Sequence, residues 1–131
     1  MPNEPRRRPT DAQLAILSVL WEKGPSTVRQ VHEALPDEVR RGYTTTLKLM
    51  QIMAEQGLAH RDESSRSHVY SAQVEREETQ GRLVDDLMQK AFGGSAARLA
   101  MRALSGSHAS ESELAEIRAL LARIEDEESE A

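Results

Sequence analysis

The chain has no cysteine among its 131 residues. That removes disulfides, zinc–thiolate and copper–thiolate sites and a cysteine nucleophile together, and it suits a reducing compartment. Aromatic side chains are nearly absent: Trp21, Tyr43, Tyr70 and Phe92 are the full set. A β-sandwich or barrel draws on more of them, so the composition leans helical. Long apolar runs are missing too. The longest, Leu14–Trp21, is broken by Ser18 and falls well short of the roughly 20 residues that span a bilayer. The basic stretch Met1–Arg8 leads into no signal-peptide apolar core, so a cytoplasmic protein without membrane insertion is expected. An excess of positive charge is also lacking. Lys and Arg number 17 against 22 Asp and Glu, a net of −5, which by itself speaks against a generic nucleic-acid binder.

The average conceals an asymmetry. Residues 1–72 hold 10 basic and 9 acidic side chains, a net of +1, whereas residues 73–131 hold 7 and 13, a net of −6. The acidity belongs to the C-terminal part, and the N-terminal part is free to face an anion. Charge asymmetry of this kind points to two jobs in one chain.

Periodicity and punctuation supply the elements. Pro2, Pro5 and Pro9 bracket a mobile basic arm carrying Arg6–Arg8, residues 1–9. Thr10 and Gln13 have capping-box spacing and open a helix to about Lys23, with Leu14, Leu17 and Trp21 inward, stopped by Gly24-Pro25. A second helix, Thr27–Leu35, is expected to be capped by Ser26 and to bury Val28, Val31 and Leu35. A third starts near Thr44 and ends at Gln56 before Gly57, with Thr46, Leu49, Met50 and Met53 as its apolar stripe at steps of three and four. Strand Leu58–Arg61, turn Asp62–Ser67 and strand His68–Ser71 then read as a hairpin. Three short helices and a hairpin make the winged helix-turn-helix layout. Three more helices follow: Glu75–Phe92, Ser95–Leu104, and one opened by a Ser110/Glu113 capping box and reaching about Asp126. Their stripes, Leu83, Leu87 and Phe92, then Leu99 and Leu104, then Leu114, Ile117, Leu121 and Ile124, cannot bury much alone and call for a second copy. The expected fold class is thus mainly α with a small β-hairpin. The arm precedes a winged-helix DNA-binding domain over residues 10–73, and a helical dimerisation domain with an acidic tail covers residues 74–131.

The third helix is the place for chemistry. A recognition helix shows short polar or cationic groups away from the core near its N-terminus, where backbone N–H groups also favour phosphate. Thr44, Thr45 and Lys48 fit that description, and Gln51 can read adenine if it reaches the groove floor. Thr27 and Arg29 open the second helix, where such folds meet backbone phosphate. Arg40 and Arg41 precede the third helix, and Arg61 and Arg66 sit on the wing. His60 and His68 are placed to face one another across the hairpin, yet two outward histidines make no convincing metal site. No Gly-x-Ser-x-Gly elbow is present, and Ala91–Ser95 lacks the lysine of a phosphate loop. No cofactor, metal or catalytic residue is expected, and enzymatic activity is not.

The segments Leu17–Trp21, Ser26–Leu35, Tyr43–Leu47, Gly57-Leu58, the Arg61…Arg66…Tyr70 hairpin and the Leu114–Ile124 helix together resemble the BlaI/MecI/CopY family of penicillinase-type repressors, from about Thr10 to Glu125. The resemblance implies a homodimeric winged-helix repressor that occludes promoters at dyad operators with TACA/TGTA-like half-sites in double-stranded DNA. It adds Tyr43 to the DNA-contacting set. It also implies release of DNA through cleavage triggered by a membrane sensor-protease. Here Ala100-Met101 stands where cleaved members carry Asn-Phe, and the cysteine-rich hook of copper-responsive members is absent. Ile52 stands where the family commonly has Arg, and Lys48 where it often has Thr. The competing reading is a helical protein-interaction module that uses the winged half as scaffold.

Overall fold

A computed structural model of the chain describes residues 8–106 and 108–130. Arg6 and Arg7 of the expected basic arm, with Pro2 and Pro5, lie outside the described residues. The order is α1 (Asp11–Lys23), β1 (Ser26–Thr27), α2 (Val28–Ala34), α3 (Tyr43–Gln56), β2 (Ala59–Asp62), β3 (Val69–Ala72), α4 (Arg76–Ala91), α5 (Ala96–Gly106) and α6 (Glu111–Glu130). The three strands form one antiparallel sheet in the order β1-β3-β2. The chain divides into two compact units between Val84 and Asp85, within α4.

Local chemistry explains the helix ends. Thr10 caps α1 through a full capping box with Gln13. The Gln13 amide also donates to Gln56 Oε1 at 3.1 Å, tying the start of α1 to the end of α3. The cap of α2 is Thr27, paired with Gln30, not Ser26 as expected. Ser26 instead joins β1 opposite Tyr70 and donates its hydroxyl to the Gly24 carbonyl. Gly57 ends α3 in the left-handed region at φ 82°, and the Leu58 N–H returns to the Met53 carbonyl, a turn that a glycine enters without Cβ strain.

That turn explains why the hairpin begins one residue later than the sequence pattern suggests. Leu58 belongs to the helix stop, so β2 starts at Ala59 and β3 at Val69. The resulting register sets His60 opposite Ser71 and Arg61 opposite Tyr70. His60 and His68 therefore do not face one another. The third strand, β1, is only two residues long and shows no alternation for a sequence reading to detect.

The core of the first unit joins Ile16, Leu17, Val19 and Leu20 of α1 to Val28 and Val31 of α2, Met50 and Met53 of α3, and Tyr70 of β3. The inner face of α1 is rotated from the expected one. Leu17 is fully buried, but Leu14 and Trp21 are only partly covered while Ile16, Val19 and Leu20 are inside. The cause is that α1 is apolar on most of its circumference and touches α2, α3 and β3 at once. Trp21 keeps its polar edge satisfied by donating Nε1–H to the Val74 carbonyl at 3.0 Å.

In the second unit, α5 and α6 bury no residue among those described. Ser110 and Glu113 form the expected capping box at the start of α6, and its contact with Ser110 holds the Glu113 carboxyl below its ordinary pKa. The helix continues through the acidic segment to Glu130, four residues beyond the expected end. No helix among the described residues is long and apolar enough to cross a membrane.

Leu17 lies at the centre of the first unit with no exposed surface. Leu17→Ala is expected to lower unfolding stability by about 2–5 kcal/mol, read as a fall in the urea midpoint with an unchanged slope.

Candidate nucleic-acid interface

The geometry of α3 follows from what it buries. Thr46, Met50 and Met53 point into the core. At about 100° per residue this sends Thr44, Lys48, Gln51 and Glu55 to the opposite side, and all four are exposed. The two flanks differ. Tyr43, Leu47 and Gln51 border a groove of roughly 460 Å³ between α3 and the wing, closed on its other sides by Thr27, Arg29, Arg66 and His68. Thr45 and Leu49 border a second groove of roughly 350 Å³ against α1, with Arg41 and Asp11 at its rim.

Of the eleven residues the sequence nominates for DNA contact, Thr27, Arg29, Tyr43, Gln51 and Arg66 thus come together around one groove. Thr44 and Lys48 form the exposed crest beside it. Thr45 and Arg41 face the other groove. Lys48 and Arg66 make no ion pair among the described residues, leaving both charges available to an anion. Arg29 pairs only loosely with Glu33, at 3.9 Å between two well-exposed side chains, a contact of little energetic weight.

Two arginines have structural partners instead. Arg61 lies on the inner face of β2, across from Tyr70. The Tyr70 hydroxyl and the Glu63 carboxylate both stabilise its charge and raise its pKa, with Nε 2.8 Å from Glu63 Oε2. Nε has no hydrogen-bond partner among the described residues, so this is an ion pair by distance. Arg40, expected to reach phosphate, closes the C-terminus of α2. It donates Nε–H to the His32 carbonyl at 3.0 Å and an Nη2–H to the Leu35 carbonyl, and pairs with Asp37 at 2.6 Å. A cation bonding the last carbonyls of a helix is favourable in itself, and an arginine just past Pro36-Asp37 is the signal that would have revealed it. Arg41, next in sequence, stays exposed and bonds the nearby Glu38 and Arg40 carbonyls, at 3.3 and 3.5 Å.

The wing tip is shaped by its own hydroxyls and acids. Asp62 accepts the Ser64 N–H at 2.9 Å, and Ser65 donates to the Ser67 carbonyl at 2.8 Å. The Ser64 contacts hold the Asp62 carboxyl below its ordinary pKa, so it stays ionised, turned into its own loop. His32 was absent from the sequence-derived set. Its Nδ1 lies 2.9 Å from Thr46 Oγ1, and its ring meets Tyr43 edge-on at 5.5 Å and 77°. No group of three or more metal-ligating side chains comes together among the described residues.

The family described as penicillinase repressor matches residues 9–123. The "Transcriptional regulator BlaI" of Mycobacterium tuberculosis, in strains CDC 1551 and H37Rv alike, is 37% identical over 87 residues, which cover 65% of this chain and 63% of the relative's length. Among solved structures, the DNA binding domain of the repressor BlaI shares 17% identity with a TM-score of 0.47, over 56% of this chain and 93% of that one. The CopR repressor shares 21% with a TM-score of 0.43, over 50% and 96%. The family match spans both the winged half and most of the helical half. The chain belongs to the penicillinase repressor family.

Proposed function

We propose that this chain is a dimeric, sequence-specific repressor that places α3 in the major groove of a dyad operator and rests its wing on the flanking backbone. The observation that carries the reading is the convergence of Arg29, Tyr43, Gln51 and Arg66 around one groove beside the exposed Thr44 and Lys48. Lys48 is placed to reach guanine O6/N7 or phosphate, the threonines to bond phosphate or touch a thymine methyl, and Gln51 to read adenine. The operator half-sites are TACA/TGTA-like and lie one helical turn apart or a multiple of it. Binding there excludes polymerase from the promoter.

Exposed apolar surface supports the dimer. Leu87 is 48% exposed, Leu121 54% and Ile124 43%, with Leu104 also exposed. Leu83, Phe92, Leu99, Leu114 and Ile117 are only partly covered. Large side chains at helical spacing left this open mark an association surface, and a second copy covers them with the same stripe. The winged half, residues 10–73, reads DNA, and residues 74–131 bring the second reader alongside. Release follows cleavage by a membrane sensor-protease at Ala100-Met101. That bond lies inside α5, where Met101 is 61% exposed, so cutting requires α5 to open locally first.

Thr44→Ala combined with Lys48→Ala is expected to abolish gel shifts of the operator while the dimer persists in sedimentation. Affinity of the unmodified chain should fall steeply as salt rises; indifference to salt would favour the interaction-module reading. Leu121→Asp should produce monomers with weak operator binding, and a variant that still sediments as a dimer would place the interface elsewhere. In induced cells, fragments of the repressor should map by mass to Ala100-Met101. A cut at another bond, or an intact chain after induction, would discard that part of the proposal.

A further inference from the structure

The first turn of α3 lacks a side-chain cap. Gly42 occupies the N-cap position and offers no side chain to the free N–H groups. Yet Tyr43, the first residue of the helix and 40% exposed, is held on two sides. The Arg29 guanidinium lies over its ring at 5.3 Å, and the His32 ring meets it edge-on at 5.5 Å. His32 is itself anchored twice. Its ring nitrogen bonds the hydroxyl of Thr46, which is 2% exposed, and its carbonyl accepts from Arg40. The chain of contacts thus runs from a buried hydroxyl of α3, through a fixed ring of α2, to an exposed ring and then to an exposed cation.

We propose that His32 is a positioning residue of the DNA interface. It sets the Tyr43 ring, and through that ring the Arg29 guanidinium, at the mouth of the groove between α3 and the wing. The inference rests on the DNA-binding reading given above. An unrestrained arginine loses much rotamer freedom when it binds a phosphate. One already stacked on an aromatic face has given up part of that freedom beforehand and delivers its charge at a defined place. Glu33, the other partner of Arg29, is too distant and exposed to do this. Ring-edge and cation–ring contacts differ from a simple packing role because their loss appears in the number of phosphates engaged.

The test uses the full chain and a duplex selected from random-sequence DNA by the unmodified protein, with affinity measured by fluorescence anisotropy across a salt series. His32→Ala is expected to weaken binding roughly tenfold and to lower the slope of log K against log salt by about one phosphate contact, with the dimer intact. Tyr43→Ala should do the same. The two changes together should be no worse than Tyr43→Ala alone, the mark of groups acting in series. His32→Phe keeps a ring edge for Tyr43 without the Thr46 bond, so it should recover most of the affinity and the full slope. That variant also decides the matter if His32→Ala fails to fold. Multiplying losses in the double variant, an unchanged slope, or a His32→Phe as weak as His32→Ala would each overturn the proposal. If the unmodified chain selects no duplex at all, the DNA-binding reading falls first and this inference with it.

Discussion

Everything at the exposed side of α3, the surface proposed to meet DNA, depends on the burial of its opposite face. Thr46, Met50 and Met53 enter the core beside Ile16, Leu17, Val31 and Tyr70. A helix with three side chains so fixed has no rotational freedom left, since turning it by one residue would bring Lys48 or Gln51 inward without a partner. The exposed crest of Thr44 and Lys48 is therefore aimed by residues buried on the opposite side of the helix. Thr46 is the one polar member of that inner face, and its hydroxyl is satisfied by His32. The same hydroxyl that allows Thr46 to be buried also links α2 to α3.

Cations in the winged half divide into two groups by what surrounds them. Arg40 and Arg61 are half-covered and bound by carbonyls, acids or Tyr70, which close α2 and brace the wing. Lys48, Arg29 and Arg66 are exposed; Arg29 meets the Tyr43 ring and a loose Glu33 pair, and Lys48 and Arg66 make no ion pair among the described residues. Sequence position does not distinguish the groups, because Arg40 and Arg41 are adjacent and only one caps a helix. What separates them is reach. Arg40 stands where its guanidinium meets the free carbonyls of α2, and satisfied carbonyls at a helix end compete strongly with any external phosphate.

Much of this was legible in the sequence. Of the stripe Thr46, Leu49, Met50 and Met53, all but Leu49, which lies half-covered at the groove against α1, are buried, and the glycine stop was explicit in Gly57-Leu58. The capping boxes at Thr10 and Ser110 were readable from spacing alone. The inner face of α1 was not, because a helix apolar on most sides carries no phase information, and Leu14 and Trp21 looked as buried as Ile16 and Leu20. Strand β1 was hidden by its two-residue length. The contacts of His32 with Thr46 and Tyr43 join residues 14 and 11 positions apart, and nothing local signals them. The nominated DNA-contacting residues were each plausible by type, but only the folded chain shows that five of them share a groove and that Thr45 and Arg41 belong to another.

The acidic balance of the chain bears on how such a protein can bind DNA tightly. A domain with a net charge of +1 over residues 1–72 attracts a polyanion only weakly at long range, because a few clustered cations are offset by nearby acids within a Debye length or two. On the dimeric reading proposed above, tight binding comes from close, well-placed contacts and from two such domains acting together. Acid gathered in residues 73–131, much of it along α4 and α6, discourages those helices from collapsing onto DNA and leaves their apolar stripes as the remaining route to association. Weak non-specific attraction is thereby an advantage. With little binding to arbitrary sequence, the ratio of specific to non-specific affinity on that reading depends on the geometry of α3 and on the spacing of two half-sites.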